Sequence, residues 1–318
     1  MNKIIERIER EAGVPGLVTI LANKLSPTDL QSILLEVYHI RSSRSQASAI
    51  LSDFESNRFV QPSDVSPISL MQWEQIAFAH LPQEFQPVAL SPVCPLGTNS
   101  VVATVDQNWA VATARNTEVI SDSTNVLALE CSLRRRDLLQ EDPKSSVAVH
   151  LATSHRLLRA QHYKDSKSVV HFSSFALCSA GRDQGNLQFE LSTLKLHMLF
   201  YLSALQSFLG HTIPLRIAVT ELSTNTHVQL IETQLLKVIR SKFKNVECVF
   251  DEQRTKGRGY YLQLCFHIYA KTLSGKEVEL VDGGAVNWSQ KLLSNAKERL
   301  VISGIGSERV CEEFGNKM

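Results

Sequence analysis

Leu300-Val301-Ile302-Ser303-Gly304-Ile305-Gly306-Ser307-Glu308-Arg309-Val310, late in a chain of 318 residues, is the stretch on which the fold turns. Its first three residues read as a short strand. Gly304-Ile305-Gly306 reads as the turn that closes the strand, and the residues after it as a helix with Arg309 on its first turns. Two glycines let the backbone come close to a ligand. A helix N-terminus favours an anion there, and a guanidinium adds a planar, permanently charged contact. Taken alone, the string reads more simply as a tight strand-to-helix turn beside a solvated arginine, so the rest of the chain has to decide.

The composition, 43% hydrophobic and 20% charged, suits one large domain with an extension, or two domains. The 33 basic and 32 acidic residues leave a formal charge of +1, which provides no global field for nucleic acid or an anionic membrane. The local run Arg134-Arg135-Arg136 reads as a solvated helix face. Six scattered cysteines, with no Cys-x-x-Cys pair, suggest neither a zinc knuckle nor a disulfide framework. They read as small hydrophobes in apolar strings. Met1-Asn2-Lys3 leads straight into a charged amphipathic pattern, with no signal peptide expected, and no uncharged apolar run reaches about 18 residues. A soluble protein of the reducing cytoplasm is expected, without a membrane span.

Residues 1–65 read as an extension of small helices, and 66–318 as the core domain. Ile4-Ile5-Ile8 gives one apolar stripe. Ser26-Pro27-Thr28-Asp29 is a helix start, with a capping hydroxyl, proline at the first position and an acid in the first turn. Another helix is expected over about 46–55, then a linker from Val60 to Val65. Ser66-Pro67 starts a helix carrying Leu70, Trp73, Ile76 and Ala77, followed by an extended segment, Phe85 to Leu90, that closes on Ser91-Pro92. Val101–Val105 and Trp109–Thr113 read as a hairpin, and 125–139 as a helix. Strand, loop and strand follow, with Arg159 before the loop and Phe172 after it, and then a long helix carrying Leu191, Leu194, Met198, Leu202 and Leu205. The last third alternates: strand 215–219, helix 226–243, strand 246–250, and a strand from Gly259 to Ile268 with Tyr260, Leu262, Leu264, Phe266 and Ile268 on one face. Asp282-Gly283-Gly284 reads as a turn after a strand at 277–281, with a helix near 288–293. Hairpins and long excursions imply an α+β fold, a mostly antiparallel sheet with helices on one face.

In this order the units resemble the catalytic core of class II aminoacyl-tRNA synthetases, within them the histidyl-tRNA synthetase-like branch. That branch also includes the regulatory subunit of ATP phosphoribosyltransferase. The resemblance spans roughly residues 68–318. It implies a homodimer interface through the segment ending at Pro92. Arg159 would hold the α-phosphate of ATP. Phe172 and Gly181 have the spacing of the second arm's aromatic residue and glycine. Gly304, Gly306 and Arg309 fit Gly-x-Gly-x-x-Arg, with Arg309 near the γ-phosphate and adenine. Gln161 stands where the family has an acid and is available to hydrogen-bond adenine. ATP and Mg²⁺ are the cofactors so implied, with Arg159 and Arg309 the catalytic pair stabilising charge on the phosphates.

The departures are equally specific. Lys256-Gly257-Arg258-Gly259-Tyr260-Tyr261 stands for the branch's Arg-Gly-Leu-Asp-Tyr-Tyr, so Lys256 falls at the substrate-contacting arginine, with Arg258 as a substitute. Gly283-Gly284-Ala285-Val286-Asn287 stands for Gly-Gly-Arg-Tyr-Asp. The acid expected after a Leu-x-Leu string is represented only by Glu130, which is displaced from the expected place. Lys256, Arg258, Tyr260, Tyr261, Asp282, Gly283 and Gly284 remain the substrate-side candidates. His150, His155, His162 and His171 have no zinc spacing. With no anticodon-binding domain after the last motif, anticodon recognition is not expected. Two functions stay open. One is an ATP-dependent adenylate-forming ligase acting on a small amino or carboxylic acid for a non-tRNA acceptor. The other is a non-catalytic ligand-binding regulator of a partner enzyme.

Overall fold

The computed structural model describes residues 3–161, 170–222, 227–254 and 257–315. The first half holds helices α1 (Lys3–Ala12), α2 (Leu17–Asn23), α3 (Pro27–Ser43), α4 (Ala47–Ser56) and α5 (Pro67–Ala79), then strands β1 (Phe85–Pro87), β2 (Val93–Pro95) and β3 (Thr117–Val119). Helix α6 (Ser123–Glu141) leads to strands β4 (Val149–Leu158) and β5 (His171–Arg182) and helix α7 (Gln188–Leu209). Strand β6 (Leu215–Glu221), helices α8 (Val228–Ile231) and α9 (Lys237–Lys242), and strands β7 (Val246–Phe250), β8 (Leu262–Lys271) and β9 (Glu277–Val286) follow. Helix α10 (Trp288–Leu293), strand β10 (Glu298–Gly306) and helix α11 (Ser307–Phe314) complete the described chain.

Eight strands form one sheet in the order β1-β4-β5-β10-β9-β8-β6-β7. The edge pairs β1/β4 and β6/β7 are parallel, and the pairings between them are antiparallel. The side chains explain why. Along β5, Phe175 and Leu177 enter one core cluster while Ala176, Cys178 and Ala180 enter another. In β10, Val301 and Ile305 oppose Leu300 and Ile302 in the same way. Strands apolar on both faces must be covered on both. Helices α5 and α7 supply Trp73, Leu194, Met198 and Tyr201 to one cluster, while α6 and α10 supply Leu127, Cys131 and Trp288 to the other. Helices therefore lie on both faces of the sheet, not on one.

Several local expectations hold. Ser26 caps α3 by accepting from the Asp29 amide at 3.1 Å, and Ser66 with Pro67 starts α5. All six cysteines are buried and free. Among the described residues, no helix is long and apolar enough to cross a membrane. Helices α1–α4 contain no buried residue.

Other expectations fail for identifiable reasons. The stretch 101–113 is not a hairpin. It folds as a π-helical turn (Thr98–Val102) and a 3-10 turn (Gln107–Trp109). The buried Glu118 carboxylate causes this, accepting from the amides of Gly97 (3.1 Å) and Asn99 (2.8 Å) and the side chains of Asn99 (2.7 Å) and Gln107 (2.6 Å). The expected helix over 226–243 is interrupted by a π-helical turn at Glu232–Leu236. Gly304-Ile305-Gly306 is not a turn, because β10 runs through both glycines and pairs with β5 and β9. Asp282-Gly283-Gly284 is likewise inside β9. The tyrosine strand begins only at Leu262. A bulge with Gln263 at φ 56° shifts its alternation, so Tyr260 and Tyr261 pack with Cys265 and not with Leu264 and Phe266. Arg135, expected to be solvated, is fully buried against Glu298.

Candidate functional site

Arg159 follows β4 directly, and its amide donates to the Val170 carbonyl at 2.7 Å across the arms of the β4–β5 pair. Arg309 lies on α11, whose start is fixed from the other side. The Trp73 indole, buried on α5, donates to the Ser307 hydroxyl at 3.0 Å. Between these elements lies a cleft of about 910 Å³, and both arginines line it. Its floor is the face of the sheet that carries Ala176, Ile302 and Gly304. Gly304 keeps that floor open, since a Cβ there would meet nothing nearer than the Phe175 carbonyl at 3.9 Å. Gly306, which ends β10, lines the cleft beside Arg309.

The two arginines differ in state. Arg159 donates from Nε to the Ser121 carbonyl and from Nη2 to Asp122 Oδ2, each at 2.9 Å, and lies 5.1 Å over the Phe172 ring. Asp122 caps α6, its Oδ1 accepting from the Thr124 amide at 2.9 Å and hydroxyl at 2.8 Å. Arg309 is exposed, with Nη1 donating to the Glu279 carbonyl at 3.2 Å. Arg159 thus covers one face of the Phe172 ring. Gln161 lines the cleft nearby.

A second group surrounds Asp282. Its Oδ2 accepts from the Tyr261 hydroxyl at 2.9 Å. Its Oδ1 accepts from Arg254 Nη2 at 3.0 Å and lies 3.1 Å from His267 Nε2. The other ring nitrogen of His267 bonds the Tyr269 hydroxyl at 2.8 Å. Burial works to raise the Asp282 carboxyl, but hydrogen bonding and charge from His267 and Arg254 outweigh it and hold the carboxyl below the ordinary aspartate value. Burial, reinforced by the Asp282 charge, pushes the Tyr261 phenol well up, so it stays protonated and donates. Tyr260 also lines the cleft, packed edge-on against Tyr261 and Trp288.

The remaining candidates fall elsewhere. Lys256 lies outside the described residues, as does His162. Arg258 lines a different cavity of about 510 Å³ with Gly259, Leu262 and Gln263, and Tyr261 forms part of both walls. Gly283 and Gly284 do not face the cleft; they are packing positions. A Cβ at Gly283 would sit 2.5 Å from Ser303 Cβ, and one at Gly284 would sit 2.7 Å from the Leu264 carbonyl oxygen. Glu130 pairs with Arg134 on α6 at 2.8 Å and does not line the cleft. His150 bonds Ser179, and His171 bonds Arg156.

Arg254, Asp122 and His267 went unrecognised in the sequence. Arg254 sits two residues before Lys256, the position that corresponds to the branch's arginine. Its approach to Asp282 depends on a loop conformation with no local signature. Asp122 had a readable signal, since Ser121-Asp122-Ser123-Thr124 precedes a helix. The cleft is also lined by Ser63, Asp64 and Val65 from the segment before α5. Its charged lining is Asp64, Asp122, Glu279, Asp282, Glu308, Glu312 and Glu313 against Arg159, Lys276 and Arg309, an excess of four negative charges (seven minus three).

No protein-family profile matches the sequence, and no curated protein matches it. Solved structures do. An ATP phosphoribosyltransferase regulatory subunit/histidyl-tRNA synthetase from Bacillus halodurans C superposes with a TM-score of 0.58 at 12% identity, covering 80% of this chain and 82% of that one. Apo histidyl-tRNA synthetase from S. aureus gives 0.54 at 15% identity, over 80% and 70%. An RNA binding domain of threonyl-tRNA synthetase from Cryptosporidium parvum Iowa II gives 0.51 at 11%, over 79% and 65%. The fold is that of the class II synthetases.

Proposed function

We propose that the cleft of this synthetase-type fold binds a small zwitterionic or cationic metabolite of the amino-acid class, and that the chain acts as a ligand-binding module for a partner enzyme, without activating the acid. The observation that carries this is the Arg159–Asp122 ion pair. The guanidinium that would meet an α-phosphate is held by a carboxylate at 2.9 Å and a carbonyl at 2.9 Å. With Arg254 and Arg156 counted beside the Asp282 and Glu308 they pair with, the cleft keeps two excess negative charges (seven minus five), which disfavour a free triphosphate and attract an ammonium. Asp282, ionised and oriented by Tyr261, Arg254 and His267, is the anchor for that ammonium. Residues 66–318 form the binding core and 1–65 the extension in this reading, with self-association through the segment ending at Pro92 and a cytoplasmic location.

A second reading, ATP-dependent adenylate formation, is favoured by Arg309, exposed beside the open floor at Gly304. Mg²⁺ held mainly by phosphates needs only one or two protein carboxylates, and Glu279 and Glu312 line the cleft. Arg309, Gly304 and Gly306 would hold the phosphates, and Gln161 the base. The cofactor would supply the activated α-phosphorus, while this chain would position it and offset its charge. Isothermal titration with a panel of free amino acids, alongside ATP–pyrophosphate exchange with the same panel, separates the two. Heat with an amino acid and no exchange is expected. Exchange with any acid would establish the second reading, and no heat with any acid would overturn the first.

A further inference from the structure

The segment from Arg58 to Val65 contributes Ser63, Asp64 and Val65 to the lining of the cleft. It is tied down by a closed ring of hydrogen bonds. Ser63 Oγ donates to Glu308 Oε2 at 3.0 Å, and the other oxygen of that carboxylate accepts from Arg156 Nη2. Arg156 Nη1 contacts His171 Nδ1 at 2.7 Å, and His171 Nε2 contacts the Gln61 carbonyl at 2.5 Å. An arginine only donates, so His171 Nδ1 accepts and Nε2 carries the proton that reaches Gln61. The ring therefore begins and ends on the segment, passing through β5, β4 and α11. Glu308 is buried and has both oxygens engaged. Arg58 adds a separate clamp, donating to the Ala160 carbonyl at 3.2 Å.

We infer that residues 58–65 are a strap, latched across the cleft by the Ser63–Glu308–Arg156–His171–Gln61 ring, which has to lift for a ligand to enter and which closes over the bound ligand with Asp64 facing it. Every group in the latch sits on an element that also lines the cleft, so entry and latching share one set of walls. The strap joins helices α1–α4 to α5, so its position couples the extension to the occupancy of the site. This regulation rests on the binding reading above, but the latch itself can be tested without a ligand.

The Arg58–Phe59 bond is a tryptic site within the strap, and Arg44–Ser45, between α3 and α4, is a reference site outside it. Limited trypsin digestion of the full chain, read by mass spectrometry, gives the ratio of the two cuts. Ser63→Ala and His171→Phe each remove one link and are expected to raise cleavage after Arg58 about tenfold relative to Arg44. Circular dichroism melting shows whether each variant keeps its fold, and amide exchange of Asn57–Val65 gives the same readout without a protease. An unchanged ratio and unchanged exchange in both folded variants would overturn the strap. In the wild type, free L-histidine, L-arginine and L-lysine serve as probes, and binding of any is expected to slow the Arg58 cut. If the variants respond while no probe gives heat or protection, the latch stands and the amino-acid reading falls. If a probe gives heat while the variants do not respond, the strap alone falls.

Discussion

Replacing Glu298 tests whether the ion pair under α6 supports the core. Arg135 and Glu298 are both fully buried, joined by two parallel bonds of 2.8 and 2.9 Å. Arg135 also donates to the carbonyls of Ser145 at 3.0 Å and Val147. Glu298→Leu leaves a guanidinium in the core with its carboxylate gone, which costs about 3–5 kcal/mol. For a chain of this length each kcal/mol moves the midpoint by about 2 °C, so thermal unfolding should shift down by roughly 6–10 °C. Arg135→Met should cost at least as much, since it strands the carboxylate and two carbonyls together. The double variant removes both charges and leaves only the carbonyls without their donor, at about 1–3 kcal/mol. It should therefore be more stable than either single change. Urea or calorimetric unfolding of all four proteins closes the cycle. A Glu298→Leu cost under about 1 kcal/mol, or a double variant as unstable as the sum of the singles, would refute the reasoning.

Asp122→Asn keeps the cap on Thr124 but removes the charge facing Arg159. Affinity for inorganic pyrophosphate in calorimetry should rise about tenfold. Asp282 has a folded pKa held below its unfolded value, so its contribution is present above about pH 3.9 and is lost as pH falls through the folded value. The wild type should exceed Asp282→Asn in stability at neutral pH, and that gap should shrink as pH falls below about 3.9 in urea titrations. Glu118→Gln replaces an oxygen that accepts hydrogen bonds with a donor facing other donors. It should cost about 2–3 kcal/mol and speed exchange of the Gly97 and Asn99 amides. Gly283→Ala forces a methyl group to 2.5 Å from Ser303 Cβ and 2.8 Å from the Ile302 carbonyl, and should destabilise by about 1–3 kcal/mol or more. Gly304→Ala, facing open space, should leave the melting point within about 1 °C while weakening ligand binding.

The sequence showed most clearly what is set by short-range patterning. Ser26 before Pro27, and Ser66 before Pro67, mark helix starts that need no distant partner. The Val246–Phe250 strand and the Trp288–Leu293 helix lie where their apolar strings place them. The misreadings share one cause: their partners are far away in sequence. Gly283-Gly284 signals a break locally, yet the glycines exist so that Phe266, Tyr261 and Ser303 can close on the backbone. Arg135 sits in a triplet that reads as solvent-facing, and only Glu298, 163 positions on, makes it a core residue. Apolar Val101-Val102-Ala103 suggests a strand until Glu118 gathers four donors around itself. Arg159 and Arg309 both line the cleft. Motif order could not reveal that Asp122 pairs with Arg159, nor that Arg254 is the arginine that reaches Asp282.

The position of β10 in the sheet has a consequence for biosynthesis. It lies between β5 and β9, though it is made after every other strand. Until residues 298–306 leave the ribosome, the nascent chain can assemble only two partial sheets, β1-β4-β5 and β9-β8-β6-β7, each with a raw edge facing the gap. Such edges invite pairing with other chains, and the β5 edge stays exposed for the time it takes to synthesise over a hundred further residues. The last strand acts as a keystone, and ribosomes stalled before it would release a product prone to stick to its neighbours.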